Sequence, residues 1–131
     1  MIEKSHNFSF RMLLYTAGLF RSGTCSYSIV KEINGTQFEL VCENRLPDNV
    51  GIFLAEISAI KDSISYSINK QKRSIIFSNS LSAIEAIKKN DKNIYYNLIN
   101  HSEFGNRILL LWIASHIGIL GNEASTEQLK N

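Results

Sequence analysis

The spacing of apolar residues changes from a strand pattern to a helix pattern at about residue 50, and that change limits the folds that the chain can adopt. Before it, three runs rich in β-forming residues occupy 8–16, 24–33 and 36–42, and each has the length of a strand. From about 50 to 68, apolar residues recur every three or four positions, which indicates a helix. The first half of the chain is therefore predicted to form three antiparallel strands followed by a helix.

Two local signals in this half predict a turn and a buried helix face. Asn34-Gly35 separates the second and third runs and predicts a hairpin, because both residues tolerate positive φ. In the helix, Glu56 lies beside the apolar stripe near the first turns, where a carboxylate is unusual. The stripe that we expect to face the sheet consists of Phe53, Ile57, Ile60, Ile64 and Ile68.

The middle of the chain is predicted to contain one strand and two helical segments. A basic loop at 70–73 precedes a short buried strand at 74–77. Ser80 can then cap a helix at 81–89, because its hydroxyl can accept a hydrogen bond from a free backbone N–H of the first turn. A further helical piece is expected at 92–100.

The last quarter predicts a strand, a loop and a helix. The apolar run 108–112 is long enough for a strand buried on both faces. A loop at 113–120 leads to a helix from Gly121, with Asn122 as its N-cap and Glu123 at the positive end of its dipole. The whole order of elements predicts an α/β fold, a five-stranded mixed sheet with helices on its faces.

Composition predicts one soluble domain rather than a membrane or secreted protein. The chain has 131 residues, of which 44% are hydrophobic, and a net charge of +2, which is too small to indicate a nucleic-acid partner. No run is long enough to span a membrane, and the start lacks a secretory signal, so we expect an intracellular protein, cytoplasmic or nuclear. Cys25 and Cys42 are expected on one sheet face, diagonally placed, and as free thiols rather than a disulfide.

Four motifs, in order along the chain, resemble those of type 1 ribonuclease H domains, especially the domains of non-LTR retrotransposons. The first, Tyr15-Thr16-Ala17-Gly18, is similar to the family's Y-T-D-G, and 52–56 is similar to its I-F-x-A-E. Residues 78–83 are similar to its S-D-S-x-S-A. Residues 112–126 are similar to its W-[IV]-P-G-H-x-G-I-x-G-N-E-x-A-D. The resemblance covers about 13–131, leaves 1–7 as a flexible N-terminus, and implies a sheet with the first strand in its middle.

The resemblance also implies a chemistry that the residues of this chain support poorly. Family enzymes cleave the RNA strand of an RNA–DNA hybrid with two Mg²⁺ or Mn²⁺ ions held by four carboxylates. The corresponding positions here are Ala17, Glu56, Asn79 and Thr126, so Glu56 is the residual metal ligand and Asn79 a weak neutral one. Each missing charge about 4 Å from an ion is worth on the order of 4 kcal/mol. We therefore expect metal binding to be weak or absent and cleavage to be lost.

Several of these residues also have a simpler interpretation. Glu56 can be a solvated residue at a helix start, and His116, which in the family loop assists proton transfer or product release, can be an ordinary loop histidine. Asn79 can be a turn residue beside the capping Ser80. A serine hydrolase built on Ser78, Ser80 and His116 is disfavoured, because no G-x-S-x-G elbow or partner acid accompanies them.

Nucleic-acid binding does not require the catalytic metals, because a hybrid is held mainly through its phosphates and 2′-hydroxyl groups. The resemblance assigns a backbone contact to Gly18, and the basic candidates are Lys70, Lys72 and Arg73. Further candidates are Lys88, Lys89 and Lys92, for which a solvated helix end is an equal alternative.

Three functions follow as alternatives. They are an inactivated ribonuclease H domain of a retroelement, a binding module for RNA–DNA hybrid or double-stranded nucleic acid, and a structural or protein-interaction pseudoenzyme. We expect a monomer with weak nucleic-acid binding and no membrane partner, and a parent polyprotein that carries a reverse transcriptase.

Overall fold

The structure is a computed structural model that describes residues 11–90 and 108–114. It contains five strands and two helices in this part of the chain. The strands are β1 (Met12–Arg21), β2 (Thr24–Asn34), β3 (Gln37–Arg45), β4 (Ser74–Ser78) and β5 (Ile108–Trp112), and the helices are α1 (Ile52–Lys70) and α2 (Leu81–Asn90). The N-terminal segment 1–7, the helical piece at 92–100, the loop beyond Ala114 and the helix from Gly121 were also predicted, and they lie outside the described residues.

The strands form one mixed sheet in the order β3-β2-β1-β4-β5. β1 pairs with β2 antiparallel and with β4 parallel, and β4 pairs with β5 parallel. The predicted five-stranded mixed sheet, with three antiparallel strands first and the first strand in its middle, is therefore confirmed. The parallel pairing has a consequence for function, because it brings the carboxyl ends of neighbouring strands to one edge of the sheet.

Helix α1 covers one face of the sheet with small side chains. Its buried residues are Ala55, Glu56, Ala59, Ile60, Ser63, Ile64 and Ser67. The hydroxyl of Ser63 donates to the carbonyl oxygen of Ala59 at 2.8 Å, and that of Ser67 donates to the carbonyl of Ser63 at 3.0 Å, so neither polar group is left without a partner. Small residues on the inward face allow the helix axis to approach the sheet closely.

The predicted inward stripe of α1 is therefore partly wrong. Ile60 and Ile64 are buried as expected, but Phe53 is 45% exposed and lies on the outer side of the first turn. The helix is rotated toward its alanine and serine residues, and Glu56 lies on the buried face itself. Hydrophobicity alone did not predict this rotation, because it ranks phenylalanine above serine and ignores how closely a helix packs on a sheet.

Two hairpins join the antiparallel strands, and the turn residues differ from those predicted. At the β2–β3 turn, Asn34 remains paired with Gln37, and its side-chain oxygen accepts hydrogen bonds from the backbone N–H groups of Thr36 and Gln37. The predicted hairpin is therefore present, although neither Asn34 nor Gly35 has the positive φ that these residues tolerate. Positive φ occurs instead in the two-residue turn between β1 and β2, at Ser22 and Gly23. β1 continues to Arg21, whereas the sequence predicted that it ends at residue 16.

Strand β5 is the outer strand beside β4 and is not buried on both faces, contrary to expectation. Ile108 and Leu110 are buried, whereas Leu109 and Leu111 are 38% and 44% exposed, so the side chains alternate between the core and the second face. The two cysteines share one face as predicted, but they are not diagonal neighbours. Cys42 is paired with Ile29, four positions along β2 from Cys25, and both thiols are free.

No helix in residues 11–90 is long and apolar enough to cross a membrane.

Candidate active site

The candidate site lies where β4 and β5 end and β1 continues past them, which we call the carboxyl edge of the sheet. The register pairs Tyr15 with Phe77, so two residues further along, Ala17 of β1 lies beside Asn79, the residue that follows β4. The hydroxyl of Thr16 donates to the carbonyl oxygen of Phe77 at 3.0 Å and ties the two strands together at this point. In open α/β sheets, ligands bind at the carboxyl ends of parallel strands.

Glu56 reaches the carboxyl edge from the second turn of α1. Its side chain is only 6% exposed, and its carboxyl group accepts hydrogen bonds from the backbone N–H of Gly18 and from the hydroxyl of Ser78. A Cβ atom on Gly18 would lie 2.5 Å from Glu56 Oε1, which is closer than any ordinary contact. Glycine at position 18 therefore lets the carboxyl approach the strand, because a Cβ atom would force the Glu56 carboxyl group to shift.

Burial changes the pKa of the Glu56 carboxyl group. Removal from water raises the pKa of its carboxyl group above the usual value, and the hydrogen bonds from Gly18 and Ser78 lower it by less. Its second oxygen, Oε2, is buried and has no hydrogen-bond partner among the described residues. A buried carboxylate oxygen is costly unless a donor or a cation lies beside it.

Ser78 was not singled out as part of the site by sequence reasoning. It is fully buried at the end of β4, where its oxygen accepts the backbone N–H of Ser80 at 3.1 Å while its hydroxyl donates to Glu56. The predicted cap is confirmed, since Ser80 Oγ accepts the N–H of Ala83 at 3.3 Å. The sequence signal that could have identified Ser78 is its position as a polar residue at the end of a mainly apolar strand.

The remaining family positions supply little to a cation. Ala17 is 1% exposed and offers only a methyl group. Asn79 is half-buried, and its backbone carbonyl accepts a hydrogen bond from the indole N–H of Trp112 at 3.3 Å. Thr126 and His116 lie outside the described residues, so the structure brings together Ala17, Glu56 and Asn79 of the predicted set.

These donors do not fit a pair of divalent cations. Mg²⁺ prefers anionic oxygen ligands, and two such ions close together need several of them. Among the described residues, no group of three or more histidine, cysteine, aspartate or glutamate side chains could hold a metal ion. Of the described candidate positions, Glu56 offers one carboxyl group, Asn79 offers one amide and Ala17 offers no ligand atom.

Several exposed apolar side chains belong to the elements that meet at the carboxyl edge. In the described part of the chain, six large apolar side chains of these elements have 41% to 56% of their surface exposed. They come from the end of β1, the first turns of α1 and α2, and the end of β5, namely Phe20, Ile52, Phe53, Leu54, Leu81 and Trp112. Surfaces that grip phosphates usually present cations and hydrogen-bond donors instead.

The basic residues proposed for nucleic-acid binding lie at the opposite edge, where β1 and β4 begin, which we call the amino edge. α1 runs back across the sheet from Glu56 to Lys70, a distance of roughly 21 Å at 1.5 Å per residue. Lys72 and Arg73 follow directly, before β4, whereas Gly18 is part of the carboxyl edge. α2 also carries basic residues in its last turn, Lys88 and Lys89. The structure therefore separates the basic candidates from Glu56.

A polar cluster lies midway, in an open groove of about 280 Å³ between α1 and β3. The hydroxyl of Tyr27 donates to the carboxylate of Asp62 and accepts from the side-chain amide of Asn44 at 2.9 Å. Burial, together with the hydrogen bond to Asp62, raises the pKa of Tyr27 to about 12. This cluster ties β2, β3 and α1 together.

Comparisons with known proteins show similarity at the level of structure. No model of a protein family and no curated protein sequence matches the chain. The solution structure of the PFV RNase H domain matches with a TM-score of 0.57 and 11% identity over 88% of each chain. The crystal structure of LC11-RNase H1 in complex with RNA/DNA hybrid matches with a TM-score of 0.55 and 15% identity, over 91% of this chain and 99% of that one.

Longer structures match in one part of their length. The Prototype Foamy Virus protease–reverse transcriptase matches with a TM-score of 0.59 and 12% identity, covering 89% of this chain. This chain spans only 20% of that chain. At such low identity these matches establish the fold and not the activity: the chain has the ribonuclease H-like fold.

Proposed function

We propose, from this ribonuclease H-like fold, that the chain is a domain of retroelement origin that has lost metal-dependent cleavage of RNA in RNA–DNA hybrids. Its ancestor, in this proposal, was joined to a reverse transcriptase in a longer polyprotein, in the non-LTR retrotransposon branch. The proposal draws on the four sequence motifs and on the foamy virus protease–reverse transcriptase, a longer protein that includes a similar fold.

The observation that carries the proposal is the environment of Glu56. Its carboxyl group is held by Gly18 and Ser78. Ala17 and Asn79 add no charge beside it. With several carboxylates missing, each worth on the order of 4 kcal/mol at about 4 Å, Mg²⁺ or Mn²⁺ would bind weakly or not at all.

We propose that the domain still binds RNA–DNA hybrid or double-stranded nucleic acid, weakly and in a salt-sensitive way. Two of the matched structures contain an RNA/DNA hybrid, one with LC11-RNase H1 and one with the foamy virus protein. Hybrid binding depends on phosphate and 2′-hydroxyl contacts, which outlast the loss of metal ligands. The domain would act as a monomer inside the cell, in the cytoplasm or the nucleus.

The test is a cleavage assay with a labelled RNA–DNA hybrid and Mg²⁺. The natural chain is expected to release no product above a protein-free control. The variant Ala17→Asp, Asn79→Asp, Thr126→Asp is expected to cleave, because it restores the family's four carboxylates with Glu56. Adding Glu56→Gln to that variant should abolish the regained cleavage. This result would show that the domain, and not a contaminating nuclease, cleaves the hybrid. Mg²⁺-dependent cleavage by the natural chain would refute the proposal.

A protein-interaction role without nucleic acid is the second candidate. The exposed apolar side chains at the carboxyl edge favour it, because apolar surface of this kind is typical of contacts between proteins. A titration of hybrid at several salt concentrations separates the two candidates. Salt-dependent binding supports the nucleic-acid role, and absence of binding at low salt leaves the interaction role.

A further inference from the structure

We propose that the open groove between α1 and β3 is a binding site for an arginine side chain of a partner protein. In this proposal the guanidinium group lies beside Asp62, and the aliphatic stem of the arginine lies along the apolar residues that line the groove. The inference goes beyond the proposed function, because it depends neither on hybrid binding nor on Glu56. We call this site the α1–β3 groove.

The size and lining of the α1–β3 groove suit one long side chain. Its volume of about 280 Å³ lies below the range of roughly 300–1,000 Å³ that is usual for sites of drug-sized ligands. Ile29 and Val41 contribute apolar surface to the lining. Long cationic side chains bury their methylene groups along such surface and keep the charged head among polar groups.

The hydrogen bonds in the groove leave acceptor atoms for a ligand. An ionised carboxylate can only accept, so Tyr27 donates its hydroxyl hydrogen to Asp62. The oxygen of Tyr27 can then only accept, and the side-chain amide of Asn44 donates to it at 2.9 Å. Tyr27 thereby uses one of the about four acceptor positions of the carboxylate. The other positions and the amide oxygen of Asn44 can accept from a guanidinium group, which is rich in N–H donors.

The charge of the groove favours a cation over a neutral ligand. Among the lining residues that the structure describes, Asp62 alone is ionised at neutral pH. Burial, followed by the negative charge of Asp62, raises the pKa of the Cys42 thiol, so the field of this carboxylate extends across the groove. A guanidinium group beside a carboxylate forms paired, charge-assisted hydrogen bonds, which are stronger than those of a neutral ligand.

Two lysines determine the orientation of the ligand. Both lie near Tyr66: Lys70 is 5.6 Å from the centre of its ring, and Lys31, which is paired with Glu39 at 3.2 Å, interacts with its hydroxyl. Tyr66 is four residues after Asp62, which is roughly 6 Å along α1. The guanidinium group therefore lies at the Asp62 end of the groove, away from both lysines.

The experiment is an NMR titration of the chain with the capped pentapeptide Ala-Ala-Arg-Ala-Ala. The backbone amide signals of 41–44 and 62–69 should shift, with a dissociation constant on the order of 1 mM for one side chain in an open groove. The same peptide with citrulline in place of arginine is the matched ligand control. Citrulline has the same shape without the charge and should bind roughly tenfold more weakly. Equal affinity of the two peptides would overturn the proposal.

Asp62→Asn tests the role of the carboxylate. Asparagine keeps a carbonyl oxygen for the hydroxyl of Tyr27 and removes the charge, so affinity for the arginine peptide should fall roughly tenfold. Asp48→Asn is the matched control, because Asp48 is an exposed acid that is paired with Arg45 at 3.5 Å and does not line the groove. It should leave the affinity unchanged. If Asp62→Asn also left the affinity unchanged, the proposal would be wrong.

Ser65→Lys serves as an independent variant if Asp62→Asn does not fold. Ser65 is exposed on α1, three residues after Asp62, so a lysine there can pair with the carboxylate along the helix and compete with the ligand. Circular dichroism and thermal unfolding check that each variant is folded. A folded Ser65→Lys should lose binding of the arginine peptide, and unchanged binding would contradict the proposal.

N-acetylarginine amide distinguishes an arginine of a partner protein from a free guanidinium compound. The pentapeptide should bind at least as tightly as this small molecule, because the groove is open and leaves room for the peptide backbone. Binding of N-acetylarginine amide without binding of the pentapeptide would overturn the assignment to a partner protein. These titrations contain no nucleic acid, so a failure of the proposed hybrid binding leaves their outcome unchanged.

Discussion

The two edges of the sheet differ in a way opposite to that expected of a two-metal nuclease. Among the described residues, the carboxyl edge holds one buried acid, Glu56, near exposed apolar side chains. The amino edge carries Arg11, Lys70, Lys72 and Arg73. In the described part of the chain, positive charge is therefore grouped at the edge opposite to Glu56.

This contrast teaches that the features which hold the fold differ from those that a cation site needs. The sheet order, the close contact of Gly18 with Glu56 and the Ser80 cap are packing and hydrogen-bonding features that stabilise the domain whether or not it binds metal. Carboxylates grouped around a cation repel one another when the cation is absent, so the fold itself does not need them. Glu56 differs because it accepts hydrogen bonds from Gly18 and Ser78.

The largest expected effect on stability comes from filling the space at Gly18. Gly18→Ala would place Cβ 2.5 Å from Glu56 Oε1 and 3.1 Å from Ile52 Cδ1, and overpacking of this kind costs about 1–3 kcal/mol in the free energy of unfolding. Chemical denaturation would measure it. In a Glu56→Ala background the penalty should shrink, because the carboxyl that collides with the new methyl group is gone.

Gly35→Ala is the control for this substitution. Nothing lies within 4 Å of a Cβ at Gly35, and its φ is not left-handed, so the change should stay within about 0.5 kcal/mol. If Gly18→Ala were equally harmless, Glu56 would not be held against β1 as described here.

A smaller effect is expected when the charge of Glu56 is removed. Glu56→Gln keeps a carbonyl oxygen for the N–H of Gly18, and it removes a carboxylate that burial already disfavours. The free energy of unfolding at neutral pH should change by less than about 1 kcal/mol, in either direction. Glu43→Gln, at an exposed acid on β3, provides the surface reference.

If Glu56→Gln lowered the free energy of unfolding by several kcal/mol, the contrast between the two edges would be contradicted. It would mean that the carboxylate is paired with a cation in the folded protein, because breaking a buried ion pair costs about 3–5 kcal/mol. The carboxyl edge would then still be an ion-binding site.

The smallest effect on stability comes from Tyr27, in the polar cluster with Asp62 and Asn44, and it appears only at high pH. Burial and the hydrogen bond to Asp62 raise the pKa of Tyr27 from 10.0 to about 12. Because the folded-state pKa is the higher one, the stability that Tyr27 contributes is complete below pH 10 and is lost as pH rises toward 12. In an ultraviolet absorbance titration, the natural chain should show one tyrosine ionisation step near pH 12 that Tyr27→Phe lacks. If the step that Tyr27→Phe lacks is centred near pH 10 instead, Tyr27 is exposed and the described contact with Asp62 is absent.

The sequence predicted the elements of this fold better than their orientation. Strand β5 was predicted with the observed bounds, and Ser80 was predicted to cap α2, because apolar runs and cap hydroxyls act locally. The inward face of α1 was misplaced, with Phe53 inside, because close packing on the sheet selected alanine and serine instead. A periodicity of hydrophobic residues does not contain that information.

The predicted site residues that the structure describes lie at one edge of the sheet, but their contacts were not predicted. The order of the motifs placed Ala17, Glu56 and Asn79 at one edge, and the parallel pairing of β1 with β4 explains why. The hydrogen bond from Ser78 to Glu56 was missed, because a serine beside a turn predicts a turn residue equally well.

The central claim, that the carboxyl edge carries too little negative charge to hold two cations, is tested most directly by counting bound Mn²⁺. Electron paramagnetic resonance measures free Mn²⁺, so a titration of the natural chain gives the number of ions bound per chain. The account predicts no bound ion at micromolar Mn²⁺, and two ions per chain in the variant with Ala17→Asp, Asn79→Asp and Thr126→Asp. Two ions bound by the natural chain, and lost in Glu56→Gln, would contradict it.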